Sequence, residues 1–178
     1  MPNWCNNYIE MDGPAEKISQ INEQITTTED GLLQAIAPLP KWDYHDAIAN
    51  WGTKWDISDA VLEYSEYSVN GETVGRLEGY FDSAWSPPTD AVRTFLSNNP
   101  DCDVNLFYYE PANDFAGTLE FGDVVTSDVG TEFFEDDPTG QELQEHFGII
   151  EDLNYYKDEV ETEILLEPVT LNNPEEEQ

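Results

Sequence analysis

An excess of acid dominates this chain. Its 39 Asp and Glu residues face only 6 Lys and Arg, a formal net charge of -33. Such a chain stays unfolded unless it buries enough apolar surface to outweigh its own repulsion. Five Trp, nine Tyr and eight Phe supply that surface. At 178 residues the chain makes one domain, or one domain with an appendage.

The same charge excludes functions. Nucleic-acid affinity comes mostly from Lys and Arg neutralising phosphates, so no direct nucleic-acid binding through a basic face is expected. Anionic membrane surfaces are excluded for the same reason. No apolar run approaches the roughly 18 residues of a membrane-spanning helix. Met1 to Gly13 lacks a basic segment followed by an apolar one, so no secretory signal is expected and the location implied is cytoplasmic. Two cysteines, Cys5 and Cys102, are too few for a disulfide scaffold or a Cys-ligated cluster.

The acids are uneven. Residues 101–178 hold 23 of them against one base, Lys157, while all five tryptophans lie at or before Trp85. The first part reads as an aromatic-rich core and the second as the source of most of the field.

Local patterns order the elements. Asn6–Met11 is a short strand closed by Asp12-Gly13. Pro14 opens a helix with Ile18, Ile21 and Ile25 on one stripe. Gly31–Ala37 is a second helical piece, and about 38–58 is an irregular, aromatic-rich insertion. Ala60–Val69 and Glu72–Asp82 form a hairpin about Asn70-Gly71, two residues that accept positive φ. Ser86 is expected to cap a helix started by proline and ended at Asn98-Asn99-Pro100. Asp103–Tyr109 is a strand, and Phe115–Phe121 with Val124–Val129 could be a further pair. Thr139–Phe147 is a helix stopped by Gly148; residues 150–166 suit a helix or a strand.

This order, strand-helix-strand-strand-helix-strand, is the split βαβ arrangement. The expected fold is α+β: a ferredoxin-like antiparallel sheet of four strands from about residues 1–110, with two helices on one face. The domain spans about 1–122. An acidic C-terminal extension over 123–178 packs on it, with a disordered tail from about 172. Cys5 and Cys102 would start neighbouring antiparallel strands at opposite ends, so no disulfide is expected between them.

Four blocks resemble a phage and plasmid family of unknown function, called Api92-like or YubB-like. They are Met1-Pro2-Asn3-Trp4-Cys5-Asn6-Asn7; Asn50-Trp51-Gly52-Thr53-Lys54-Trp55-Asp56; Phe81-Asp82-Ser83-Ala84-Trp85-Ser86-Pro87-Pro88; and Glu110 with Phe115-Ala116-Gly117. They cover about the first 120 residues. The resemblance implies a ferredoxin-like domain and a mobile-element setting, and it supplies no catalytic residues.

Each chemical motif has a plainer alternative. Trp51 and Trp55 could anchor a ligand, but large aromatics usually supply core, so both are expected to be buried. Trp85 is expected to pack beneath the helix cap. Asp101-Cys102-Asp103-Val104-Asn105 opens like a calcium loop, yet Leu106 stands where that loop needs Gly. His45 and His146 lack metal-ligand spacing, and no nucleophile motif accompanies His45. No catalytic residue, metal or cofactor is therefore expected, and the chain is read as non-enzymatic.

What remains is the acidity. Glu132, Glu135, Asp136 and Asp137 form one dense stretch, and Asp158, Glu159, Glu161 and Glu163 a second. They are the candidate partner-binding residues. One reading is a solvated or salt-adapted surface. The sharper one is imitation of a nucleic-acid phosphate array, which would occupy a basic host protein that itself binds nucleic acid and block it. The alternatives are an accessory module that binds through the Trp-rich insertion, or a small carboxylate-based hydrolase.

Overall fold

The computed structural model describes residues 3–156 of the chain. Its first strand, β1 (Trp4–Pro14), is longer than expected and runs through Asp12-Gly13. Strict alternation produces it. Cys5, Asn7, Ile9, Met11 and Gly13 are buried, and the residues between them face the other way. Helices α1 (Ala15–Thr27), α2 (Leu32–Ile36) and α3 (Tyr44–Trp51) follow. The insertion is thus partly helical. Asp43 starts α3 by accepting from the His45 and Asp46 amides, and Gly52, with φ 80°, ends it.

Strands β2 (Val61–Val69) and β3 (Glu72–Ala84) form the expected hairpin. Asn70 and Gly71 both take positive φ, 53° and 89°, as a two-residue type I′ turn demands. Helix α4 (Thr89–Asn98) and strand β4 (Asp103–Glu110) complete the split βαβ unit. Ser86 does not cap α4. Its hydroxyl donates instead to the Gly52 carbonyl, so the helix begins at Pro88 without a side-chain cap.

The sheet has six antiparallel strands rather than four, in the order β2-β3-β1-β4-β5-β6. The first four positions are the ferredoxin-like order. Strands β5 (Phe115–Thr118) and β6 (Gly122–Val125) extend the β4 edge. Both are shorter than their sequence runs suggest: β5 ends at Thr118, ahead of the turn to Gly122, and β6 ends at Val125 because Thr126 starts α5 (Thr126–Asp136), a helix kinked at Gly130 with φ 68°. Helix α6 (Pro138–Phe147) ends at Gly148, with φ 63°, and residues 149–156 are again helical.

Two apolar clusters flank the sheet. One packs α1, α2, α3 and α4 against Cys5, Ile9, Met11, Leu77, Phe81, Leu106 and Tyr108. The other packs α5, α6 and residues 149–153 against Phe107, Tyr109 and Ala116. The two helices of the split βαβ unit share one face, as expected, and the acidic extension covers part of the opposite face. Leu106 to Glu110 are buried in succession because β4 is covered on both sides, which turns alternation into a continuous run.

Trp51 is buried and its indole donates to the Ala37 carbonyl at 2.7 Å. Trp55 and Trp85 depart from expectation: they are 37% and 48% exposed. The cysteines are both buried and free. Cys102 packs beside Gly13, at the far end of β1 from Cys5.

Candidate functional site

The four sequence blocks meet at one end of the sheet, and most of their polar groups serve the fold. Asn7 is buried and donates to the Phe81 carbonyl and the Ser83 hydroxyl. Ser83 donates to the Ser86 carbonyl, Thr53 to the Ala84 carbonyl, and the Trp85 amide to the Asn3 carbonyl. Asp56 receives the amides of Gly31, Leu33 and Gln34 and so caps α2 from the end of the insertion. Glu110 is fully buried, with one carboxylate oxygen taking the Asn113 amide. These bonds satisfy backbone groups that would otherwise be orphaned. They also orient the side chains that the blocks leave outside.

Those outer side chains line a groove. Helix α6 and residues 149–156 cover the outer face of β4 and β5, but among the described residues nothing covers the same face of β3 and β2. On β1 this face carries Trp4, Asn6 and Tyr8. On β3, opposite them in register, it carries Ala84, Asp82 and Tyr80. Val61 of β2 pairs with Tyr80 and is 74% exposed. One wall is His146 and Phe147 from α6 with Asp152; the other is Trp55 with residues 56–59. The cavity between them measures about 750 Å³.

Aromatic contacts set the walls. Trp4 and Trp55 have ring centroids 6.2 Å apart. Lys54 extends its ammonium over the Trp55 ring, 4.3 Å from the centroid. His146 stacks on Tyr8 at 4.0 Å, and its Nδ1 lies 3.3 Å from the Tyr80 hydroxyl. Burial holds the His146 imidazole below its ordinary range, against the raising effect of Glu10, Glu145 and Glu142. Tyr8 is pushed up to about 12, first by burial and then by Glu78 and Glu10.

The charge of the groove is one-sided. Asp56, Asp59, Asp82 and Asp152 line it, and among the described residues no Lys or Arg does. Asp82 accepts from the Asn6 amide group at 2.9 Å. Both arginines are held by carboxylates elsewhere. Arg76 makes a two-pronged contact with Asp12, at 2.8 and 2.6 Å, and Arg93 lies 3.4 Å from Asp90. Lys17 pairs with Asp101 at 2.6 Å.

The acids singled out in the sequence are not in this groove. Glu132, Glu135 and Asp136 are exposed on α5. Asp137 is half-buried and accepts from the Thr139 and Gly140 amides as the cap of α6, so its charge is engaged by the helix start. Asp158, Glu159, Glu161 and Glu163 lie outside the described residues, as does the tail. Sequence reasoning missed Trp4, Tyr80, Asp82, Asp59, His146 and Asp152 as a group. The signal available was the alternation Trp4-Asn6-Tyr8 against Tyr80-Asp82-Ala84, which places them on one face but does not say that the face is open.

Among the described residues, no helix is long and apolar enough to cross a membrane. No curated protein and no solved structure matches the chain. A family model does: the ferredoxin-like domain in Api92-like protein matches residues 50–151. The match begins at Asn50, the first residue of the Trp-rich block, takes in the second, third and fourth sequence blocks but not Met1–Asn7, and runs through α6 to residue 151. With the split βαβ core in place and more than half of the chain matched, the protein belongs to the Api92-like family and carries its ferredoxin-like domain.

Proposed function

We propose that this protein acts by binding rather than by catalysis, and that its partner is a basic protein that itself binds nucleic acid. The observation that carries the reading is the acidic excess on the open half of the sheet. It presents Glu10, Glu63, Glu78 and Asp82 among exposed aromatics, against Arg76 of the same face, which Asp12 holds at 2.6 Å and Glu78 approaches at 3.7 Å. A basic partner therefore meets more carboxylates than Arg76 neutralises. Opposed potentials of this kind steer encounter and raise association rates more than they raise affinity.

On this reading the acids of α5 and of the open sheet stand in for the phosphates that the partner ordinarily contacts. Occupying that surface blocks it. The sequence resemblance to phage and plasmid proteins supports a mobile-element product acting in the host cytoplasm, where such a block serves counter-defence or takeover. The Trp-rich insertion contributes to the same surface through Trp55, which joins the second reading, an aromatic binding module, to the first.

The test is capture of partners from host lysate at low and high salt, followed by competition with duplex DNA. Binding should weaken steeply with salt, since exposed charges are screened beyond about 8 Å at physiological strength, and excess DNA should displace the protein. Neutralising α5 with Glu132→Gln, Glu135→Gln and Asp136→Asn together should slow association. Asp137 is left intact in that variant because it caps α6. A partner that holds DNA and this protein simultaneously, or an affinity indifferent to salt, would refute the reading.

A further inference from the structure

We infer that the groove between Trp4, Trp55 and His146 is a pocket for a single arginine side chain, presented by an extended basic segment of a protein partner. This rests on the binding reading above and narrows it from a charged surface to one recognised chemical group.

Three observations point to it. The first is the register of the floor. Along β3 the outward residues run Ala84, Asp82, Tyr80, opposite Trp4, Asn6, Tyr8 on β1. Asp82 thus lies one row from Trp4 and one row from Tyr80, and a row is roughly 7 Å along a strand. An aromatic, a carboxylate and an aromatic in that order suit a planar cation that stacks on a ring face while donating sideways to oxygen. Trp4 and Tyr80 are both 48% exposed, so their faces are open to such a group.

The second observation is charge. Asp59, Asp82 and Asp152 border the cavity, and the titratable base among the lining residues, His146, is kept neutral-leaning by burial. A cation entering the groove meets carboxylates that no Lys or Arg among the described lining residues neutralises. The charge also argues against a second copy of this chain as occupant, because like acids would face each other.

The third is that the chain already places a cation on this aromatic wall. The Lys54 ammonium sits over Trp55, at 4.3 Å from the ring centroid. Attraction between cations and indole faces is strongest for Trp and is made more often by Arg. Guanidinium is chosen over ammonium because it is planar, less strongly hydrated and able to donate to a carboxylate through two nitrogens while it stacks. The cavity of about 750 Å³ admits the whole side chain with its flanking backbone.

The test uses the full chain and short capped peptides. One peptide carries a central arginine in an otherwise neutral sequence, a second carries lysine there, and a third carries glutamine. Binding is followed at one fixed ionic strength by intrinsic tryptophan fluorescence and by calorimetry. The arginine peptide should bind saturably and at least about threefold more tightly than the lysine peptide, with the glutamine peptide showing none. Trp4→Ala and Asp82→Asn should each weaken the arginine peptide by roughly tenfold, the scale of a partly desolvated cation–aromatic contact. Thermal melts establish that both groove variants are folded, and Asp82→Asn, an exposed isosteric change, keeps the test sound should Trp4→Ala fold poorly.

Equal binding of the lysine and arginine peptides, or groove variants that bind like the parent, would overturn the pocket and leave the broader electrostatic reading standing. Arginine-selective binding without any DNA-competed partner would support the pocket and remove the proposed target instead.

Discussion

Trp51→Ala is the most demanding test of how the insertion is held. Trp51 is 2% exposed, and its indole N–H is bonded to the Ala37 carbonyl at 2.7 Å. A buried aromatic removes roughly 150–250 Å² from water, which at about 25 cal/mol per Å² is at most about 4–6 kcal/mol. Measured truncations of buried Phe and Trp cost about 3–5 kcal/mol. Loss of the indole also leaves the Ala37 carbonyl without its partner, a penalty of about 1–3 kcal/mol where water cannot enter. Since part of the cavity collapses, a total of about 4–5 kcal/mol is expected. For a domain of this size each kcal/mol shifts the melting midpoint by about 2–4 °C, so the midpoint should fall by roughly 10–15 °C. Urea denaturation should show a lower midpoint with the slope unchanged. Trp55→Ala is the control. Its ring is 37% exposed and lies against Trp4 and Lys54, so about 1 kcal/mol is expected. If Trp51→Ala shifts the urea midpoint no more than Trp55→Ala does, the insertion is not anchored through Trp51 and the packing argument fails.

Further perturbations probe other joints. Asp56→Ala removes the acceptor for the Gly31, Leu33 and Gln34 amides and should cost about 2 kcal/mol; a change under a few tenths in urea denaturation would show that water replaces the carboxylate. Gly117→Ala would drive a methyl into the Gly122 carbonyl oxygen and the Tyr108 hydroxyl, with a cost of about 1–3 kcal/mol. Amide exchange should then speed up across residues 115–125, and uniform exchange would contradict the tight β5–β6 approach. His146 carries a pH signature. Its folded imidazole titrates below the ordinary 6.5, so the unfolded chain takes up the proton first as pH falls. The stability linked to it is complete above about pH 6.5 and is lost as pH drops toward the lowered value, against the opposing pull of Glu10, Glu142 and Glu145. The difference in melting midpoint between the parent and His146→Gln should therefore shrink from pH 7.5 to 5; a flat difference would show that the ring is solvated.

Much of the fold was legible because its signals are local. The strand-helix-strand-strand-helix-strand order follows from hydrophobic period and turn chemistry, each visible within a dozen residues. Asn70-Gly71 names its own turn, and Gly148 its own helix end. The misses share a different origin. Ser86 has the right chemistry and position for a cap, but the hydroxyl found a better-placed acceptor in Gly52, 34 residues away. Trp51 and Trp55 differ by four positions and by a left-handed residue at Gly52 between them, which turns one ring into the core and the other out to the groove. Asp137 was read as free charge and is a helix cap for the Thr139 and Gly140 amides next to it in the chain, whereas the amides that Asp56 caps lie 22 to 25 residues away and become its neighbours only after folding.

Composition alone determined that this protein would be strongly acidic and rich in aromatics, since net charge and apolar content are sums that no folding event changes. The strand alternation also determined which residues share a face. It could not determine which part of that face stays uncovered. That was decided by where α5 and α6 dock, through contacts of Phe134, Leu143 and Ile149 with Phe107 and Tyr109 made between residues distant in the chain. Among the described residues, the groove exists because those helices cover β4 and β5 and stop there, leaving Tyr80, Asp82 and Trp4 exposed.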